Sequence, residues 1–307
     1  LLLIRNNNMN KAYFNRLKLL LRQVALGCAL TSLVTMAPAA KASIIAEDQF
    51  PTGAGGYTVG ALGTQNPTTT GFTGAWTDMA NTNSQVNSTS LSVSDPGYNI
   101  STVGGDIGSS GDSRVGRTFD STALVAGTTG TVYMSFLMQF TLPNTNYEAL
   151  ELSGGTPGTY DDNGTRNIQI GIGGDFGGNT TVGIRTNDGT TQQAAAFAGT
   201  ADTSAHLYVL KFTLSGGTDS LTAWLDPNLT GAGDPTGGIT ISSFVLRSTD
   251  MLGVGNFNNN SVGPQIDNFV MGTTLADVTG AVPEPTTWSL LGIGALALLV
   301  TARRKLA

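Results

Sequence analysis

The sequence predicts an all-β protein, an antiparallel two-sheet β-sandwich, on three observations. Apolar and polar residues alternate in short runs, the period of a half-buried strand. Clusters of Gly, Ser, Thr, Asn and Asp separate those runs, which is turn chemistry. No long segment outside the two termini shows a helical period, so strands must supply the core.

Residues 131–140 alternate most cleanly. Val132, Met134, Phe136, Met138 and Phe140 fall on one face, with Tyr133, Ser135, Leu137 and Gln139 on the other. In 206–214, Tyr208, Leu210, Phe212 and Leu214 share a face opposite Lys211 and Thr213. Ile168, Ile170 and Ile172 line up in 166–173, Val182 and Ile184 do so in the next run, and 220–226 and 239–246 add two more. Gly216-Gly217 suits a hairpin, while Asp226-Pro227-Asn228 and Asp234-Pro235 are turns. Gly173-Gly174-Asp175-Phe176-Gly177-Gly178 is a Gly-rich turn, because no helix pattern and no Lys-Ser/Thr follow it. Near the end, an unbroken period of two puts Asp267, Phe269 and Met271 on one face and Ile266, Asn268 and Val270 on the other. With Phe269 and Met271 inside, Asp267 lies at the core margin, where its carboxylate needs backbone N–H groups or a cation.

Charge is unevenly placed. Six of the 15 basic residues lie at or before Lys41, and three form Arg303-Arg304-Lys305. Between Lys41 and Val282 stand six basic residues against 20 acids, a net charge of −14. Such a surface repels nucleic-acid phosphates and anionic headgroups. Neutral sugars, cations and basic surfaces fit it as partners, and nucleic acid does not. The one Cys is Cys28, inside the N-terminal segment, so a processed chain would hold no disulfide, reactive thiol or Cys metal site.

The N-terminal segment, 1–42, reads as a signal peptide with its start at Met9. Lys11, Arg16, Lys18 and Arg22 precede the apolar run 24–36, and Ala40-Lys41-Ala42 supplies an A-x-A site with cleavage expected before Ser43. At the other end, Val282-Pro283-Glu284-Pro285 precedes the apolar segment 288–301 and then Arg303-Arg304-Lys305. With its flanks the apolar stretch is just long enough to span a bilayer as a transmembrane helix. The basic cluster should stay cytoplasmic. The prolines hold Glu284 extended and accessible.

Those three features, in that order over 282–307, resemble the PEP-CTERM sorting signal of Gram-negative bacteria. The resemblance implies recognition by an exosortase and transient anchoring in the inner membrane. Removal of the tail and delivery to the cell surface or extracellular matrix would follow, in a setting of exopolysaccharide production and biofilm. Between the two ends, 43–280, residues 45–50, residues 265–274 and Trp224-Leu225-Asp226-Pro227 resemble concanavalin A-like, laminin-G-like jelly rolls of exported bacterial proteins. That resemblance implies that the first and last strands pair.

Jelly rolls of this kind include glucanases, and retaining glycosidases need two carboxylates about 5–5.5 Å apart. The only Glu residues in 43–280 are Glu47, Glu148 and Glu151. Glu148 and Glu151 are three apart and project to opposite faces of a regular strand, and the Glu-x-Asp-x-x-Glu pattern of the fold's glucanases is missing. His206, the one His, excludes a His-clustered zinc site. No G-x-S-x-G elbow accompanies it. The expectation is therefore a noncatalytic, exported surface or matrix protein that binds exopolysaccharide. A secreted glycan-active hydrolase or lyase and a purely structural matrix protein are the alternatives. Trp224 shares a strand face with Thr222 and Asp226, and is either a stacking platform in solvent or a Trp packed under a loop. Trp76 poses the same choice. Asp161-Asp162-Asn163 offers oxygen ligands in a turn for calcium, the one cofactor these residues admit, but lacks the full calcium-loop spacing.

Overall fold

The computed structural model describes residues 43–95, 97–101, 104–119, 123–140, 147–154, 166–176, 178–230, 233–249 and 251–280. The segments 1–42 and 281–307, with Ala40, Ala42 and the tail residues Val282, Pro283, Glu284, Pro285, Arg303 and Arg304, lie outside the described residues, as does the turn Asp161-Asp162-Asn163. Among the described residues no helix is long and apolar enough to cross a membrane.

The chain opens with β1 (Ile44–Asp48), the two-residue β2 (Gly60–Ala61), β3 (Phe72–Ala80) and β4 (Ser84–Val86). A hairpin of β5 (Ser92–Asp95) and β6 (Tyr98–Ser101) precedes β7 (Ile107–Phe119) and β8 (Thr129–Gln139). Next come β9 (Tyr147–Ser153), β10 (Arg166–Gly173), β11 (Gly178–Asn187) and β12 (Gln192–Ala196). The last strands are β13 (Ala205–Ser215), β14 (Asp219–Leu225), β15 (Ile239–Phe244) and the long β16 (Met251–Gly272), followed by a short helix, α1 (Leu275–Thr279).

All pairings between these strands are antiparallel, and they form two layers. The first runs β12-β11-β10-β9-β16-β7-β3, and the second β15-β14-β13-β8-β16-β1. β16 belongs to both: residues 251–257 pair with β7 and β9, and residues 265–272 with β8 and β1. It changes layer where register slips around Val262. Gly263 sits at that corner because a Cβ there would come 2.4 Å from the carbonyl oxygen of Ser109, closer than packed atoms approach.

The inward faces of both layers meet in one core. Val132, Met134, Phe136 and Met138 enter it from β8, Phe140 from the residue after it, and Tyr208, Leu210, Phe212 and Leu214 from β13. Ile168, Ile170 and Ile172 enter from β10 and Val182 and Ile184 from β11. Each such side chain, taken out of water, contributes about 1.5–3 kcal/mol. A second cluster lies on the outward face of the second layer. There Leu137, Leu207, Val209 and Trp224 are covered by Leu91 and Tyr98 of the β5–β6 region and by Leu229.

One strand-face expectation is corrected. Asn268 adopts φ 50, and register between β16 and β8 shifts between Asp267 and Val270. This bulge adds one residue and inverts the alternation before it. Ile266 therefore joins Phe269 and Met271 in the core. Asp267 is fully buried on the other side, accepting from the N–H of Leu91 (3.0 Å) and of Asn268 (2.7 Å). Backbone donors meet its need, and the carboxylate fastens the segment before β5 onto β16.

The first strand pairs with the last, Glu47 opposite Val270 and Asp48 opposite Phe269. α1, which has no counterpart in the sequence-based reading, closes the fold. Thr274 accepts from the Asp277 N–H while Asp277 accepts from the Thr274 N–H, a capping box. Asp277 also accepts from Ser43 N and Thr273 N, tying the two ends of the sandwich together.

Candidate functional site

Along β7, β9, β10 and β11 the side chains turned away from the core are few and polar, set among very small residues. Residues paired across antiparallel strands share a face, so the registers place Arg185, Gln169, Glu151, Gly253 and Gly116 in one row across the first layer. The neighbouring row is Gly183, Gly171, Ala149, Gly255 and Arg114. Tyr147 stands opposite Gly173.

The polar side chains form one chain of hydrogen bonds across this face. Arg114 Nη2 donates to Glu151 Oε1 at 2.8 Å, and the Tyr147 hydroxyl donates to the same oxygen at 2.5 Å. Gln169 Nε2 donates to the Tyr147 hydroxyl at 2.8 Å. Arg185 Nη1 donates to Gln169 Oε1 at 3.3 Å, and its Nη2 to Gln192 Oε1. Glycine makes this layout feasible. A Cβ on Gly255 would sit 3.0 Å from Glu151 Oε1 and 3.1 Å from Arg114 Nε, so the ion pair lies flat across β16. The ladder runs from buried to open. Arg114 and Glu151 are 0% and 1% exposed, Gln169 is 2% exposed, Arg185 is half-buried and Gln192 is exposed. Phe176, from the turn between β10 and β11, stacks on Tyr147 with ring centroids 6.0 Å apart. Arg185 and Gln192 are thus the end a solute reaches first.

The sequence-predicted ligand residues lie elsewhere. Trp224 is 4% exposed and packs in the second cluster. A Cβ on Gly238 would come 2.5 Å from its Nε1, so the chain before β15 lies against the ring. Trp224 is a covered residue and not a stacking platform, which corrects one of the two expectations for it. Asp226 turns the chain at φ 45. It accepts from Leu207 N at 2.9 Å and meets His206 Nδ1 at 2.5 Å, while His206 Nε2 lies 2.9 Å from Asp202. The two carboxylates raise the imidazole from 6.5 to about 9, the Asp226 bond contributing most, so His206 is a charged bridge. It is half-buried near the start of β13.

Trp76 is also no platform, being 1% exposed in the main core. Its Nε1 donates to the Tyr57 hydroxyl at 2.7 Å, which donates to Asp48 at 2.5 Å. Arg117 completes this buried group, reaching Asp48 at 3.2 Å, Tyr57 at 3.1 Å, Thr69 at 3.0 Å and the Pro67 carbonyl at 2.7 Å. Burial raises the Asp48 carboxyl to about 6 against the pull of these donors. The group fastens the chain before β3 to β7 and faces no solvent.

Glu148 and Glu151 do point to opposite faces. Glu148 follows Leu150 and Leu152 inward and is fully buried. Glu151 is the one carboxylate among the described side chains of the ladder face. The ladder itself was missed in the sequence. The visible signal was glycine at alternate positions in Gly171–Gly173, Gly183 and Gly253–Gly255, paired with lone long polar residues.

The C-terminal segment matches a family model over residues 281–305. The chain carries the PEP-CTERM protein-sorting motif. A PEP-CTERM motif marks its bearer for exosortase sorting and export to the cell envelope or beyond. No curated protein sequence matches the chain. Among solved structures, the T. cruzi calreticulin globular domain shares 11% identity at TM-score 0.45, over 74% of this chain and 95% of that one. The botulinum neurotoxin serotype D binding domain shares 12% at TM-score 0.44, over 72% and 49%. The Emp47p carbohydrate recognition domain shares 10% at TM-score 0.39, over 64% and 90%. The chain spans about half the length of the botulinum neurotoxin binding-domain chains it matches.

Proposed function

We propose that this PEP-CTERM protein is a noncatalytic surface or matrix protein that binds an exopolysaccharide through the outward face of its first layer, on a concanavalin A-like jelly roll. The observation that carries the reading is the open end of the ladder, Arg185 and Gln192, braced from behind by the buried Gln169, Tyr147, Glu151 and Arg114. The Arg185 guanidinium and the Gln192 amide are held by these neighbours at the solvent-facing end, which suits hydroxyl and carboxylate oxygens of a sugar. Preorganisation keeps the entropy cost of binding low. The tail supports export: exosortase would cleave it after transient anchoring in the inner membrane.

A glycan array on protein released from cells that produce the full chain, run with assays for reducing ends and unsaturated products, tests this. Binding without turnover is expected, weakened about tenfold by Arg185→Ala, a loss of about 1.4 kcal/mol. Turnover would favour the hydrolase or lyase reading, and absence of any binding would favour a structural matrix protein. Replacing Pro283 and Pro285 with Ala should leave the tail on the chain by mass spectrometry. Normal processing of that variant would sink the sorting role of the motif.

A further inference from the structure

Apart from the two-residue β2, which pairs with β4 alone, and the β5–β6 hairpin, the described strands end the two layers at four places: β3 and β12 in the first, β1 and β15 in the second. A sheet edge exposes backbone N–H and C=O groups, and soluble proteins interrupt such edges with bulges, proline or charge. Three of these four are interrupted. β3 breaks register with β7 between Thr73 and Thr77 and again between Asp78 and Ala80. β1 breaks register between Ile44 and Ala46, and its Glu47 is bridged by Thr70. β15 carries Ser243 at φ 67, and register between it and β14 shifts at Asp219.

β12 differs. It keeps continuous register with β11 from Asn187↔Gln192 to Gly183↔Ala196. The bonds Asp188 N→Thr191 O (3.2 Å) and Phe197 N→Val182 O (2.9 Å) fix its phase, so odd-numbered residues bond inward. Gln192, Ala194 and Ala196 therefore turn their N–H and C=O groups outward, and all three are exposed. No described strand pairs with that side. From Gly189 to Ala201 the sequence holds neither a charged residue nor a proline.

We propose that β12 is an assembly edge on which a second copy of this chain pairs antiparallel, about a two-fold axis at Ala194. The axis sets Ala194 against Ala194 and Gln192 against Ala196, so outward groups meet outward groups in about six hydrogen bonds. The Ala194 and Ala196 methyls leave the centre of the seam unobstructed, and Gln192 is held by Arg185. Charge selects the same place, because two bodies of like net charge repel except where the surface is neutral. Pairing joins the first layers of both copies into one sheet and brings the two Arg185–Gln192 ends side by side. The pairing itself requires no glycan.

Sedimentation velocity of protein released from cells producing the full chain, without glycan, reads the equilibrium. A concentration-dependent dimer is expected, weakened at least about tenfold by Ala194→Pro, because proline removes an outward N–H and spares the bonds to β11. In a Cys28→Ser background, Ala194→Cys should oxidise to a covalent dimer, since hydrogen-bonded partners sit about 5.5 Å apart between Cα atoms, within disulfide reach. Thr213→Cys, exposed on the second layer, should stay monomeric. A chain monomeric up to about 1 mM, or a dimer that survives Ala194→Pro and gives no Ala194→Cys link, overturns the proposal.

Discussion

Every nitrogen of the Arg117 guanidinium donates: Nε to the Gly74 carbonyl, Nη1 to Asp48, Tyr57 and Thr69, and Nη2 to Asn66 and the Pro67 carbonyl. A buried charge is tolerable only when its donors are met in this way. Arg117→Met should cost about 3–5 kcal/mol in urea unfolding, mostly by stranding the Asp48 carboxylate. Asp48→Asn added to it should recover part of that loss, a coupling a double-mutant cycle measures. Titration should show in stability as well. The folded pKa of His206, about 9, lies above its ordinary 6.5, so its contribution is complete below pH 6.5 and lost as pH rises through about 9. Burial raises Asp48 and Asp106 from 3.8 to about 6. The folded chain then holds protons that the unfolded chain has released, and stability falls as pH rises across that interval. Melting midpoints measured from pH 4 to 9 should decline in two steps, and His206→Gln should flatten the upper one.

At the scale of single elements, β16 decides the architecture. Its break in register around Val262 lets one strand serve both layers, and a bulge further on holds Asn268 at φ 50, a local strain. Asn tolerates that conformation, glycine prefers it, and a β-branched residue resists it. Asn268→Gly should stay within about 0.5 kcal/mol of the parent and Asn268→Val should lose about 1–2 kcal/mol, both read from denaturant midpoints. Equal effects of the two would remove backbone strain as the reason for Asn there. The neighbouring floor is just as constrained: a Cβ on Gly171 would lie 2.0 Å from the Glu148 carbonyl oxygen, so β10 and β9 could not keep their spacing with any other residue.

For the whole molecule, stability rests on the double-layer core and on the pairing of β1 with β16. Between Lys41 and the tail the chain carries −14, a self-repulsion that salt screens within about 8–10 Å. Raising NaCl from about 10 mM to about 300 mM should therefore raise the melting midpoint of the exported form. A falling midpoint would show that solvent-accessible ion pairs such as Lys211–Asp234 outweigh the net charge.

The sequence by itself determined the class of fold, the inward faces of β8, β10, β11 and β13, and the sorting tail. Each follows from contacts near in the chain: alternation has a period of two, and the tail is read in linear order. Tertiary structure alone decided that β16 crosses layers, that Trp76 and Trp224 are covered, and that Arg114, Glu151, Tyr147, Gln169 and Arg185 stand in line. Those residues come from four strands spread over more than 70 positions, and the side chain that covers or meets another is set by register. Register depends on bulges such as Asn268, and a bulge leaves no mark in a hydrophobic pattern until the partner strand is known.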